Sequence, residues 1–242
     1  MKSQTYDWFH RTPKIQKKII TSTNFTYRKT LEVLAQEIGN RKNINILDYG
    51  CGVGTIDFYL ANQGYPVLGV DVSPRAIEVA RKSAQTIGVS SKAKFELVGQ
   101  KTKRKFDIVL CSEVIEHIKD DQKLFLSISS VLKKDGYLIL STPSLNAPLF
   151  RLGLAMNFDK RVGHLRRYNL IELTSKIIFS GFNIKKVIKT EGIIRNSLFL
   201  FPSLGWIVRF LKGPLSNLVT FLDDLTVPLF GESNFIVIAK KI

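Results

Sequence analysis

The sequence predicts an α/β protein built on a doubly wound, mostly parallel sheet. Three observations carry that expectation. Short apolar strand patterns alternate with helical patterns from residue 44 to about residue 142. The run ILDYGCGVG (46–54) leads a strand into alternating glycines and then into a helix start. A carboxylate, Asp71, closes the next strand, 21 residues beyond Gly50.

Residues 1–43 carry nine basic and three acidic residues and read as a basic arm followed by a helix, set apart from the domain at 44–242. The arm holds Tyr6, Trp8 and Phe9. The helix runs from about Asn24, with Tyr27, Leu31, Leu34, Ala35 and Ile38 at helical spacing up to Gly39. Residues 44–49 read as a strand, 55–63 as a helix and 66–71 as a second strand. Ser73 then caps a helix that has Pro74 at its first position and runs to about Ile87. Strands follow at 93–98 and 106–111, then a helix at 120–133. Asp135-Gly136 turns into a fifth strand, YLILST. Such βαβ alternation puts helices on both faces of a parallel sheet. After Pro143 comes a loop with a short helix, ending in GHLRRY. A helix at 170–179, a strand at 182–190 and the apolar tail strand 234–241 complete the order.

The segment 192–231 stands out, being rich in Leu, Phe, Ile and Val. A membrane-spanning helix needs about 20 largely apolar residues. Arg195, Pro202, Arg209 and Gly213-Pro214 interrupt every window of that length. Leu215, Leu218, Leu222 and Leu225 share one face, so an amphipathic helix acting as a lid or an interfacial patch is expected.

With 242 residues the chain can bury one good core. Its 36 basic residues against 20 acidic ones give a net charge of +16, which favours anionic partners, either nucleic acid or an anionic membrane face. Cys51 and Cys111 lack metal-type spacing and are expected as reduced thiols. The opening MKSQTYDWFHRTPK has no apolar core of a secretory signal, so a cytoplasmic location is expected.

Gly50, Gly52 and Gly54 bring bare backbone close to a ligand at a helix start, which points to an adenosine-containing cofactor. A dinucleotide fingerprint would place its third small residue at Thr55. Asp71 is placed to accept both ribose hydroxyls, or to cap the next helix.

Taken in order, ILDYGCGVG, VLGVDVSPRAIEVAR, FDIVLCSEVIEHI and LKKDGYLILSTPS resemble the class I S-adenosylmethionine-dependent methyltransferases over roughly residues 40–190 and the last strand. The resemblance implies a Rossmann-like sheet of seven strands, the C-terminal one antiparallel. It implies S-adenosyl-L-methionine as cofactor and S-adenosyl-L-homocysteine as product. It places Asp48 and the turn Gly50, Cys51, Gly52 and Gly54 around the methionine part, Asp71 on the ribose and Val72 beside the adenine. Gln100 would meet the adenine amine, and Cys111, Ser112 and Glu113 would line the cofactor. Arg28 would either contact the cofactor carboxylate or lie on the helix surface.

SEVIEHI with GHLRRYNLIELTSKIIFSGF resembles the branch that contains the ubiquinone-biosynthesis O-methyltransferases. In that branch the positions of Glu113, Glu116 and His117 are associated with a divalent cation such as Mg²⁺. Relatives without a metal use the same string to close the pocket or begin a helix. His117 and His164 are the candidate catalytic residues. Arg166 and Arg167 either receive an anionic group or pair with nearby acids. CSEVIEH stands where nucleic-acid amine methylases carry an Asn/Asp-Pro-Pro-aromatic loop, which leaves O-, C- or other N-methylation open.

The expected function is methylation of a small aromatic, lipidic or membrane-associated acceptor, above all on oxygen. The protein is expected to sit peripherally on the inner face of an anionic membrane, with residues 192–231 shaping the pocket or burying a homodimer interface. Two rivals stand beside it: an RNA methyltransferase, for which the charge speaks but no RNA-binding signature does, and a non-catalytic cofactor-binding scaffold.

Overall fold

A computed structural model describes residues 14–39, 41–99, 104–201 and 203–242. Gln100 and the aromatic residues of the N-terminal arm, Tyr6, Trp8 and Phe9, lie outside the described residues. The strands are β1 (Ile46–Tyr49), β2 (Val67–Asp71), β3 (Ala93–Leu97), β4 (Phe106–Ser112), β5 (Leu132–Pro143), β6 (Phe182–Thr190) and β7 (Asn234–Lys241). The helices are α1 (Arg28–Ile38), α2 (Thr55–Asn62), α3 (Pro74–Ile87), α4 (Asp121–Val131), α5 (Pro148–Arg151), α6 (Met156–Val162), α7 (Leu170–Phe179), α8 (Ile193–Leu200), α9 (Gly205–Val208) and α10 (Gly213–Phe230).

One seven-stranded sheet has the order β3-β2-β1-β4-β5-β7-β6. All pairs are parallel except those of β7, which runs antiparallel to both β5 and β6. Strand order reverses between β1 and β4. Chain crossovers depart to opposite sides there, so a crevice opens beyond the carboxyl ends of these strands.

Both faces of the sheet are covered, and the side-chain period of two divides each strand between two cores. Ile46, Ile108 and Leu110 pack with α1, α2 and α3, whereas Leu47, Val109 and Cys111 pack with α4 and α7. Helix α1 buries Leu31, Leu34 and Ile38 in the first of these cores, so the expected boundary at residue 43 does not separate it from the domain. That helix starts at Arg28 rather than at Asn24, because the Asn24 Oδ1 accepts the Tyr27 N–H in a turn. Helix α3 begins as expected: the Ser73 hydroxyl accepts the Ala76 N–H, with Pro74 in the first turn. Strand β5 starts at Leu132, earlier than the expected Tyr137, because Leu132 pairs with Phe106 of β4.

Between β6 and β7 lie α8, α9 and α10. Helix α10 is amphipathic as expected, but its polar side faces the protein. Ser216, Thr220 and Asp223 are buried, whereas Leu215, Leu218, Leu222 and Leu225 are exposed. The N-terminus of α8 explains this polarity. The Asp223 carboxylate accepts the N–H groups of Gly192 and Arg195, and the Thr226 hydroxyl accepts that of Ile193. These donors have no partner within their own helix. A Cβ on Gly192 would lie 2.0 Å from the Thr226 hydroxyl, so this contact requires glycine.

Candidate active site

Beyond the carboxyl ends of β1, β4 and β5 lies a chamber of about 610 Å³. Asp48, Gly50, Cys51, Gly52, Asp71, Ser112 and Glu113 line one side. Tyr27, His117, Phe158, His164, Arg167 and Phe199 line the rest.

The glycine turn is held by β2. The N–H groups of Gly50 and Cys51 both donate to the Val70 carbonyl, at 2.7 and 3.1 Å. Gly50 has φ +84°, and a Cβ there would lie 2.3 Å from a methyl group of Val114. Asp71 is 2% exposed and accepts the N–H of Gly52 at 2.9 Å and that of Ser73 at 2.8 Å. Each carboxylate oxygen keeps acceptor capacity for a ribose hydroxyl. A flat turn closed to any Cβ, next to a strand-end carboxylate, fits an adenosine-containing cofactor. Behind it, Asp48 and Asp57 are both buried. Burial raises the Asp48 carboxyl to about 7, and burial with the neighbouring Asp48 charge pushes Asp57 well above the usual carboxylate range.

Facing the turn are two imidazoles, 4.9 Å apart at an interplanar angle of 66°. The Nδ1 of His117 meets the Gly163 carbonyl at 3.1 Å, and the Nδ1 of His164 meets the Asp159 Oδ1 at 2.9 Å. Both partners only accept, so each Nδ1 carries a proton. Both Nε2 atoms stand 3.9 Å from the Glu116 Oε1. Burial, followed by the nearby His164, lowers His117 to about 4, so it is neutral at pH 7. Burial alone would raise Asp159, but hydrogen bonds from His164 and Arg167 outweigh it and hold the carboxylate ionised. Arg167 grips Asp159 at 2.7 and 2.8 Å while stacking on Phe150 at 4.8 Å. Glu116 is fully buried, and burial with the Glu113 charge raises its carboxyl well above the usual range.

A family model described as a methyltransferase domain matches residues 40–170. The chain belongs to the methyltransferase domain family. Its cofactor is S-adenosyl-L-methionine. The methyltransferase is 30% identical over 128 residues to the ubiquinone biosynthesis O-methyltransferase of Leptothrix cholodnii, covering 51% of this chain and 54% of that protein. It is 38% identical over 117 residues to the mitochondrial ubiquinone biosynthesis O-methyltransferase of Schizosaccharomyces pombe, covering 46% and 42%. It thus spans about half the length of the curated relatives it matches. Among solved structures, the magnesium protoporphyrin IX methyltransferase of Synechocystis with bound S-adenosyl-homocysteine superposes with a TM-score of 0.63 at 16% identity, covering 99% and 95% of the two chains. A putative sarcosine dimethylglycine methyltransferase from Galdieria sulphuraria gives 0.65 at 13%, covering 99% and 97%. At these identities the likeness is one of fold.

Several expected site residues lie outside the lining of this chamber. Cys111 is fully buried among core side chains, because the strand alternation that turns Ser112 toward the chamber turns Cys111 away. Gly54 caps α2 against the rings of Phe58 and Phe95, outside the chamber lining. Val72 is 44% exposed and also outside that lining. Arg28 bonds Glu32 and Asn217, the latter on α10, whereas its neighbour Lys29 lines the chamber. Arg166 and Arg167 pair with Asp121 and Asp159.

The metal expectation also changes. The convergent set among the described residues is Glu116, His117 and His164. Glu113 is drawn aside, its Oε1 accepting from the Ser141 hydroxyl and the Asn234 amide at 2.8 and 2.7 Å. Two imidazoles and one carboxyl are a poor donor set for Mg²⁺, which takes oxygen ligands in a strict octahedron. The set does not fit Mg²⁺, and no catalytic step is assigned to that ion.

Asp159 and Asp57 were missed in the sequence reading, as were Phe158 and Phe199. Asp159 had one local signal: it stands five residues before His164 in DKRVGH, a spacing that folds back when Gly163 ends the helix at φ +80°.

Proposed function

We propose that this methyltransferase transfers a methyl group to a hydroxyl of a small aromatic or lipidic acceptor. The observation that carries this reading is the placement of His164: the residue lines the chamber while ionised Asp159 fixes its Nδ1–H. S-adenosyl-L-methionine bound at the glycine turn supplies an electrophilic methyl on a sulfonium and leaves as S-adenosyl-L-homocysteine. The work left for the protein is to align the reactants and remove one proton. His164 accepts the hydroxyl proton at Nε2 as the acceptor oxygen gains its new bond to carbon, and Asp159 stabilises the resulting imidazolium. Neutral His117, edge-on to His164, orients the hydroxyl without competing for the proton. Phe158, Val162, Phe199, Leu200 and Ile236 form an apolar wall that suits an aromatic or isoprenoid-like acceptor and excludes water. The alignments with ubiquinone biosynthesis O-methyltransferases support the same reading.

Labelled S-adenosyl-L-methionine incubated with the protein and a panel of hydroxylated aromatic and polyprenylated phenols tests this. The expected product is a methyl ether, formed at a rate that falls about 10²–10⁴-fold in His164→Ala. Label appearing only in RNA, or tight S-adenosyl-L-homocysteine binding with no turnover on any acceptor, overturns it.

A further inference from the structure

We infer that the outward face of α10 docks on an anionic lipid bilayer. The inference concerns where the chain sits, and it rests on the proposed function only for its purpose, delivery of a membrane-borne acceptor.

At about 100° per residue, Leu215, Leu218, Phe221, Leu222, Leu225 and Leu229 fall within a sector of about 120°. All are exposed, between 44% and 77%. Trp206 and Phe210, on and just after α9, are 59% and 66% exposed and meet edge to face at 5.8 Å. A surface helix of a water-soluble domain turns its apolar side inward. Here the polar side is committed to the N-terminus of α8, so the apolar side has no cover among the described residues.

Charge selects the occupant. Exposed Arg209 and Lys212 stand before α10, and exposed Arg151 borders a hollow at its far end together with Leu229 and Phe230. The acids nearby are neutralised: Asp224 pairs with Lys29 at 2.5 Å and buried Glu232 with Lys189 at 3.4 Å. An apolar helix face with basic residues at both ends matches an anionic headgroup layer. A second copy would bring another +16 of net charge and the same basic rim. The surface also lies next to the chamber. Helix α8 packs under α10 and supplies Phe199 and Leu200 to the chamber wall.

Co-sedimentation of the full chain with vesicles tests the docking. Vesicles of phosphatidylcholine with phosphatidylglycerol are expected to bind it at least about tenfold more tightly than phosphatidylcholine alone, less so in high salt. The double variant Phe221→Asp with Leu225→Asp changes only exposed side chains. It is expected to keep the wild-type melting temperature and to lose binding about tenfold or more. Arg209→Glu with Lys212→Glu is expected to lose the preference for anionic vesicles. Equal binding by the aspartate variant, no binding by the wild type, or a wild-type dimer that the aspartate variant dissolves without any vesicle binding would each overturn the docking. Turnover of a water-soluble phenol by the aspartate variant at the wild-type rate separates a failure of docking from a failure of the proposed reaction.

Discussion

Asp159 accepts the Nδ1 proton of His164 at 2.9 Å while Arg167 holds the same carboxylate with two bonds from the other side. The contact gives the imidazole one tautomer and one orientation, and His164 lines the same chamber as the glycine turn. An imidazole held in this way is suited to take a proton at Nε2.

Asp159→Asn would therefore lower turnover even with the fold intact. An amide can donate as well as accept, so it no longer fixes the tautomer. A fall in kcat of about 10²-fold or more is expected, with S-adenosyl-L-homocysteine affinity changed less than threefold. Single-turnover rates and calorimetry on the same preparation read the two effects. An equal loss in both would make Asp159 a structural residue only.

Gly50→Ala is expected to abolish cofactor binding. The residue lies at φ +84°, which costs an L-residue roughly 1–2 kcal/mol, and its Cβ would strike Val114. Adding Val114→Ala removes the collision but not the backbone cost. The double variant should recover part of the lost affinity for S-adenosyl-L-homocysteine in calorimetry, and none if the turn has collapsed.

Stability should fall with rising pH because of Asp48 and Asp57. A carboxyl of the unfolded chain titrates near 3.8, whereas burial lifts Asp48 to about 7 and, with the neighbouring Asp48 charge, pushes Asp57 well above the usual carboxylate range. The folded state thus holds protons that the unfolded state has released. Their contribution is complete below about pH 4 and is lost as pH rises through 7. Asp57→Asn should flatten the melting temperature between pH 5 and 8 and raise it at pH 8 relative to wild type. Parallel curves for the two proteins would rule this out.

Arg195 ties the helical insert to the body of the domain. It is fully buried, stacks on Phe25 and Phe199 at 4.3 and 5.3 Å, and pairs with Glu191 at 3.2 Å. Arg195→Ala leaves the half-buried Glu191 without its partner and opens a cavity beside Phe25 and Phe199, with an expected cost of about 2–5 kcal/mol in urea unfolding. Arg195→Met, which keeps the packing, should cost less. A cost under about 1 kcal/mol for Arg195→Ala would show that water replaces the pair.

Saturating Mg²⁺ should change neither turnover nor melting temperature, given two imidazoles in the convergent set. A Mg²⁺-dependent rate that Glu113→Gln abolishes would restore Glu113 as a ligand.

Local signals made much of the fold legible. Ser73 and Pro74 mark a helix start wherever that segment lies, and NFIVIAKK occupies the whole of β7 as read. Asp48, Gly50, Cys51, Gly52 and Asp71 come together in the chamber because short-range geometry, a turn between paired strands, sets their positions. The acceptor side was less legible, since Tyr27, Phe158, His164 and Phe199 come from the turn before α1, α6, the loop after it and α8. Which of these meet depends on how those helices pack. Glu113 and His164 exchanged places in the convergent set for the same reason, through bonds from Ser141 and Asn234 on distant strands.

From sequence alone came the sheet, the methyl donor and the fact that residues 213–230 have one apolar and one polar face. Helical periodicity divides a helix into two faces but does not say which is turned inward. Tertiary structure decided that, because the unpaired N–H groups of α8 need Asp223 and Thr226 more than the core needs further leucines. It likewise decided which partners His164 has, since only packing brings Asp159 and Arg167 to it and sets it in the chamber that the glycine turn lines.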